Sequence, residues 1–213
     1  MNNNSRRKLI KIYKKLYDYY GPQHWWPARS RFEMMVGAIL TQNTAWSNVE
    51  KAIVSLRSER LLTPEAMAKL GPKRLAKLIR PAGYYNIKAG RLKNFISFLS
   101  SEYGLNLHKM RGEPTTVLRK KLLGVNGVGP ETCDSILLYA FDRSVFVIDA
   151  YTKRVFSRHG MLESDSSYED FQDLFMDNLP HDSGVFNEYH ALIVRLAKDF
   201  CRARPCCRGC PLE

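Results

Sequence analysis

Between residues 121 and 140 the chain reads Lys-Leu-Leu-Gly-Val-Asn-Gly-Val-Gly-Pro-Glu-Thr-Cys-Asp-Ser-Ile-Leu-Leu-Tyr-Ala. Gly124, Gly127 and Gly129 crowd a stretch too rich in glycine for a helix interior. Thr116 to Leu123 before them and Pro130 to Phe141 after them both read as helix, and proline suits a first helical position because its missing N–H has no partner to lose there. The stretch therefore predicts helix, glycine hairpin, helix. Such a hairpin turns several backbone N–H groups outward beside the positive end of the second helix, which suits an oxyanion such as a phosphate. Taken alone it could equally be an ordinary helix-to-helix turn.

A chain of 213 residues with 45% hydrophobic composition can bury one substantial core or two small lobes, and two lobes sharing a cleft are expected. The longest apolar runs are too short to span a bilayer, and the opening Met1 to Lys8 lacks the apolar core of a signal peptide. A soluble, intracellular protein that works at the nucleoid follows as the expectation, with no membrane partner. The net charge of +12 gives a field that draws in polyanions, and nucleic acid is the natural one.

The remaining segments read as helices. Leu9, Ile12, Tyr13, Leu16, Tyr19 and Tyr20 share one face, Phe32 to Leu40 form a second apolar helix, and Trp46, Val49, Ile53 and Leu56 mark a third. Between the first two lies Gln23-His24-Trp25-Trp26-Pro27, a loop with adjacent indoles that either plugs a core edge or offers a stacking surface. Thr41-Gln42-Asn43-Thr44 separates the next two; four polar side chains there should face a cleft or solvent, since burial would demand a partner for each. Arg80-Pro81-Ala82-Gly83-Tyr84-Tyr85-Asn86 breaks the pattern again, its aromatic pair being a surface patch, a packing plug or a wedge for DNA. Val145 to Ile148 is an apolar connector that brings Asp149 to the start of a helix, where a carboxylate is either a cap or a functional acid. No segment alternates convincingly with period two, so the class is all-α.

Four cysteines, Cys201, Cys206, Cys207 and Cys210, crowd the end of the chain. That density points to a metal, with iron–sulfur and zinc as the competing occupants.

Leu-Gly-Val-Asn-Gly-Val-Gly-Pro-Glu-Thr with Val147-Ile148-Asp149 downstream, Leu40-Thr41-Gln42-Asn43-Thr44, Gly83-Tyr84-Tyr85-Asn86-Ile87-Lys88-Ala89 and the cysteine cluster together resemble the endonuclease III branch of the helix-hairpin-helix (HhH-GPD) DNA glycosylases. The resemblance runs from about Trp25 to the C-terminus. It implies a six-helix barrel over 30–143 and a second helical lobe from 1–29 and 144–213, working as a monomer on double-stranded DNA with a damaged base. It further implies that Gly124, Asn126, Gly127 and Gly129 seat backbone phosphates, that Gln42 fills the gap left by a flipped nucleotide, that Tyr84 wedges beside the orphaned base, and that Asp149 is the catalytic carboxylate.

Family members that also cut the strand place a lysine where this chain has Glu131, so Schiff-base lyase chemistry is expected to be absent or weak and hydrolysis by water to remain. Trp25, Trp26, Pro27 and Trp46, with Glu131, are similar to the 3-methyladenine DNA glycosylases of the branch. A base alkylated on a ring nitrogen is cationic, stacks well on indole faces and is already a good leaving group. The resemblance thus implies a monofunctional glycosylase of base excision repair removing alkylated purines. The alternatives are a uracil or thymine mismatch glycosylase, a glycosylase/AP lyase, and a DNA-binding module without chemistry. It also implies a 4Fe-4S cluster, although the family's cysteine spacing is not reproduced and Cys206 would have to serve as a ligand beside Cys207.

Overall fold

The computed structural model describes residues 3–213; Met1 and Asn2, which open the stretch read above for a signal peptide, lie outside the described residues. Those described form helices and no strands, and none of the helices is long and apolar enough to cross a membrane. The chain divides into two compact units, 28–141 and the two flanking segments 1–27 and 142–213.

The continuous unit holds α2 (Arg31–Leu40), α3 (Trp46–Ser58), α4 (Pro64–Lys69), α5 (Pro72–Leu78), a 3-10 turn at Arg80–Ala82, α6 (Tyr85–Tyr103), α7 (Leu107–Arg111), α8 (Thr115–Leu123) and α9 (Pro130–Ser135). Helix α2 is buried from Phe32 to Leu40, and its N-terminus is fixed by Ser30, whose hydroxyl accepts the Glu33 amide at 3.1 Å. Buried Glu33 is compensated by Arg57 Nη2 at 2.6 Å. Pro64 and Pro72 open α4 and α5 at positions where no amide is lost. Helix α9 does not run on regularly to Phe141: from Ile136 to Ala140 it widens into a π turn, and the Ala140 carbonyl is taken up by Arg31 Nε at 2.7 Å. Behind the hairpin, Arg119 on α8 grips fully buried Asp134 on α9 with two bonds of 2.7 and 3.0 Å.

The discontinuous unit holds α1 (Asn3–Tyr20), α10 (Ala150–Arg158), α11 (Tyr168–Met176) and α12 (Ser183–Asp199). Its core is aromatic: Phe146 stacks on Phe175 at 3.9 Å between centroids, with Phe156, Phe186 and Tyr189 edge-on around them. Tyr189 donates its hydroxyl to the Leu9 carbonyl at 2.9 Å, joining α12 to α1. Helix α11 starts at a reciprocal cap between Ser167 and Asp170. From α11, Gln172 donates to the Phe146 carbonyl at 2.7 Å and the Tyr168 hydroxyl accepts the Ile148 amide at 3.3 Å. These two bonds and the burial of Val145 to Ile148 pin the connector, so that Asp149 arrives at the N-terminus of α10 in a fixed position.

Candidate functional site

In the continuous unit, α8 ends at Gly124 and α9 begins after Gly129, with the Val128 amide closing the turn onto the Val125 carbonyl at 2.9 Å. The three glycines have different reasons to be there. Gly124 is right-handed, at φ −74°. Gly127 has φ +95°, and a Cβ added to it would come within 2.3 Å of Arg91 Cγ, so both its backbone and its surroundings require glycine. Gly129, at φ −91° and ψ 179°, is extended, and a Cβ there would meet nothing within 4 Å. The fold makes no demand for glycine at 129; the open space in front of an amide at a helix N-terminus is room for an approaching anion. Asn126 turns its carbonyl to Asn94 Nδ2 at 3.1 Å, and Glu131 is exposed in the first turn of α9.

Gln42 reaches this hairpin. Its Nε2 donates to the Gly127 carbonyl and to Thr132 Oγ1, both at 2.9 Å, and its Oε1 accepts from Arg91. Tyr84 stands at the N-terminus of α6 with φ +46°, a left-handed conformation that a tyrosine adopts only under constraint, and is 68% exposed. Ile87, a turn further along α6, is 56% exposed. An exposed aromatic and an exposed aliphatic side chain so close together are costly in water and suit insertion into an apolar stack. Trp46, also in this unit, donates its indole N–H to Glu50 at 2.8 Å.

In the discontinuous unit, Asp149 caps α10: its Oδ1 accepts the Thr152 amide at 2.7 Å. Its Oδ2 lies 3.5 Å from Nε2 of His190, a buried residue of α12. Burial pushes the carboxyl up, but the neighbouring imidazole and the Thr152 amide outweigh it and hold Asp149 below the usual carboxylate range. Asp149 is therefore both a helix cap and an ionised carboxylate at neutral pH. His190 escaped the sequence reading; its signal was a histidine in phase with Phe186, Ile193 and Ala197 on the buried stripe of α12. Trp25 and Trp26 pack edge to face at 5.8 Å, Pro27 follows them as an exposed residue, and Lys198 Nζ lies 5.8 Å from the Trp25 ring centroid.

Cys201 is buried and accepts a hydrogen bond from Arg158 Nη1 at 3.3 Å, whereas Cys206 and Cys207 are exposed. Among the described residues no three His, Cys, Asp or Glu side chains form a group able to hold a metal ion. As they stand, the four thiols do not fit a 4Fe-4S ligand set, and no step below passes through a cluster. Cys133 is a fully buried small hydrophobe whose thiol is pushed up to about 12 by burial.

The helical fold, the hairpin and an ionised carboxylate at a helix N-terminus define a nucleic-acid repair protein of the helix-hairpin-helix class. The model of the HhH-GPD superfamily of base excision DNA repair proteins matches residues 36–181, more than half of the chain. The chain belongs to this superfamily and is an endonuclease III-like DNA glycosylase of base excision repair. It is 51% identical to the Methanocaldococcus jannaschii protein named "Putative DNA repair glycosylase MJ1434" over 215 residues, covering 100% of this chain and 97% of the relative. Among solved structures it is similar to the H. pylori 3-methyladenine DNA glycosylase bound to 1,N6-ethenoadenine, with a TM-score of 0.77, 26% identity and coverage of 91% of this chain and 97% of that one. An endonuclease III–DNA complex shares the fold, with a TM-score of 0.83 at 22% identity over 97% of this chain and 92% of that one.

Proposed function

We propose that the protein hydrolyses the N-glycosidic bond of alkylated purines, 3-methyladenine first among them, and leaves the DNA strand uncut. The observation that carries the hydrolytic half is Asp149, kept ionised by His190 and Thr152. As the bond to the base lengthens, positive charge grows on the sugar. A fixed carboxylate stabilises that charge and can orient the attacking water without forming a covalent bond. The position where strand-cutting relatives carry a lysine holds exposed Glu131, which cannot form an imine. Lys88 is the nearest thing to a spare amine, its pKa pushed down to about 8 by burial and by Arg91, but its three N–H groups are all committed to acceptors.

The alkylated-purine half rests on the indoles. Trp25 already accepts a cation over its ring in Lys198, and its own Nε1–H is buried with no acceptor among the described residues. A cationic purine offers such a site a positive face and ring-nitrogen or carbonyl acceptors. The likeness to a 3-methyladenine glycosylase at 26% identity supports the same reading.

Phosphates seated on the hairpin, Gln42 in the vacated stack and Tyr84 beside the orphaned base complete the proposal. Single-turnover assays on duplexes carrying 3-methyladenine, 7-methylguanine, hypoxanthine, uracil or a thymine mismatch test it. Release of an alkylated purine, with strand breaks only after heating and no adduct trapped by borohydride, is the expected result; release of uracil or thymine instead would overturn the substrate. A 4Fe-4S cluster is a separate proposal, requiring Cys206 and Cys207 to move towards Cys201 and Cys210. Iron and acid-labile sulfide in protein isolated without oxygen would support it, and zinc or no metal would overturn it.

A further inference from the structure

Gln42 and Tyr84 sit on different loops, and a buried network runs between them. Lys88 is 1% exposed, and its Nζ donates to the Leu40 carbonyl at 2.8 Å, to Thr44 Oγ1 at 2.7 Å and to the Ala82 carbonyl at 2.7 Å. Thr44 passes its hydroxyl proton to the same Ala82 carbonyl at 2.5 Å. Leu40 and Thr44 bracket Gln42, and Ala82 immediately precedes Gly83 and Tyr84. Gly83 has φ +66°, and a Cβ there would lie 3.7 Å from Thr44 Oγ1, so the two loops meet closely at this point.

Arg91, three residues beyond Lys88 on α6, extends the network to the hairpin. It donates to Gln42 Oε1, and its aliphatic stem fills the space where a side chain on Gly127 would go. Gln42 meanwhile donates to Gly127 and Thr132. A buried ammonium is expensive unless every proton finds an acceptor, and here the three N–H groups and the three acceptors match one to one.

Resting on the glycosylase reading above, we infer that Lys88 and Arg91 are positioning residues that lock the Gln42 loop between the Tyr84 turn and the hairpin. The phosphate seat and the two side chains offered to the base stack are then held as one unit. Seating a phosphate on the hairpin fixes the height at which Gln42 and Tyr84 meet the bases, and neither side chain acts alone. A lysine that merely capped the end of α2 would give stability and no such coupling.

The test is a double-mutant cycle with Gln42→Ala and Tyr84→Ala, read on single-turnover excision of whichever purine the wild type releases. The cycle is repeated in Thr44→Val and Arg91→Met backgrounds, which remove one link each without emptying a large volume; Lys88→Met serves as a third where it folds. In the wild-type background the double variant should lose about fivefold less than the product of the single losses. In the two altered backgrounds the losses should multiply to within about twofold, with affinity for undamaged duplex in Thr44→Val unchanged on the same scale. Multiplicative losses in the wild type, or a coupling that survives both Thr44→Val and Arg91→Met, overturn the inference. If the wild type excises none of the five lesions, the glycosylase reading fails instead, and the same cycle read on affinity for a duplex with an abasic site still decides whether the unit exists.

Discussion

Asp149 Oδ2 and His190 Nε2 lie 3.5 Å apart, one at the N-terminus of α10 and the other buried in α12. The imidazole offsets the effect of burial on the carboxyl, so the ionisation of Asp149 depends on a residue 41 positions away in the chain. The folded pKa of Asp149 lies below its unfolded value. Its contribution to stability is therefore present above the ordinary carboxylate range, near pH ~4, and is lost as pH falls through the depressed folded value. Replacing His190 with Gln leaves burial unopposed by the imidazole. The acid limb of the excision rate against pH should then move to higher pH, and acid unfolding should begin earlier. An acid limb that stays in place in His190→Gln would sink this assignment.

Asp149→Asn separates chemistry from capping. Asparagine still accepts the Thr152 amide, so the helix keeps its cap while the charge is lost. Excision should fall by at least about a hundredfold with duplex affinity retained. Asp149→Ala should lose the same activity and about 1 kcal/mol of stability besides, measured by denaturant unfolding. Equal stability losses in the two variants would contradict the capping geometry.

The hairpin glycines divide fold from function. Gly127→Ala puts a Cβ against the stem of Arg91 at a positive φ and should cost about 1–3 kcal/mol of stability. Gly129→Ala meets open space at an ordinary φ; its stability should stay within about 0.5 kcal/mol of wild type. Its duplex affinity should nevertheless drop several-fold, because the new methyl group stands where a phosphate would approach. Fluorescence anisotropy at fixed salt decides this, and undiminished affinity in Gly129→Ala would remove the hairpin from the DNA interface.

Arg119→Met leaves Asp134 buried without its bidentate partner. A loss of about 3 kcal/mol is expected, read by denaturant unfolding. An effect under 1 kcal/mol would mean that the pair does not brace α8 against α9.

The hairpin was legible in the sequence because glycine density and a proline at a helix start leave few alternatives. What each glycine does was not legible: only the packed structure shows that Gly127 is forced by Arg91 and that Gly129 is free of any internal demand. Asp149 was found from its motif, whereas His190 was hidden because its partner comes from a distant helix. Lys88 and Arg91 were passed over for a related reason. Lys88 falls in phase with Leu92, Phe95 and Leu99 on the buried stripe of α6, and a lysine in that register was the available clue that a cation is enclosed there. The thiols of the tail show the opposite error: proximity along the chain suggested a shared ligand, and Cys206 and Cys207 stand exposed.

The π turn at Ile136–Ala140 accommodates one residue more than a regular helix would over the same rise. Deleting any single residue from it would restore regular winding and swing the end of that helix by roughly 100°. The Ala140 carbonyl would then face away from Arg31, leaving a guanidinium at the start of α2 with nothing to hold. Length variants in this segment are therefore expected to be far less tolerated than substitutions, a sensitivity to counting rather than to chemistry, and one that a deletion scan would expose at once.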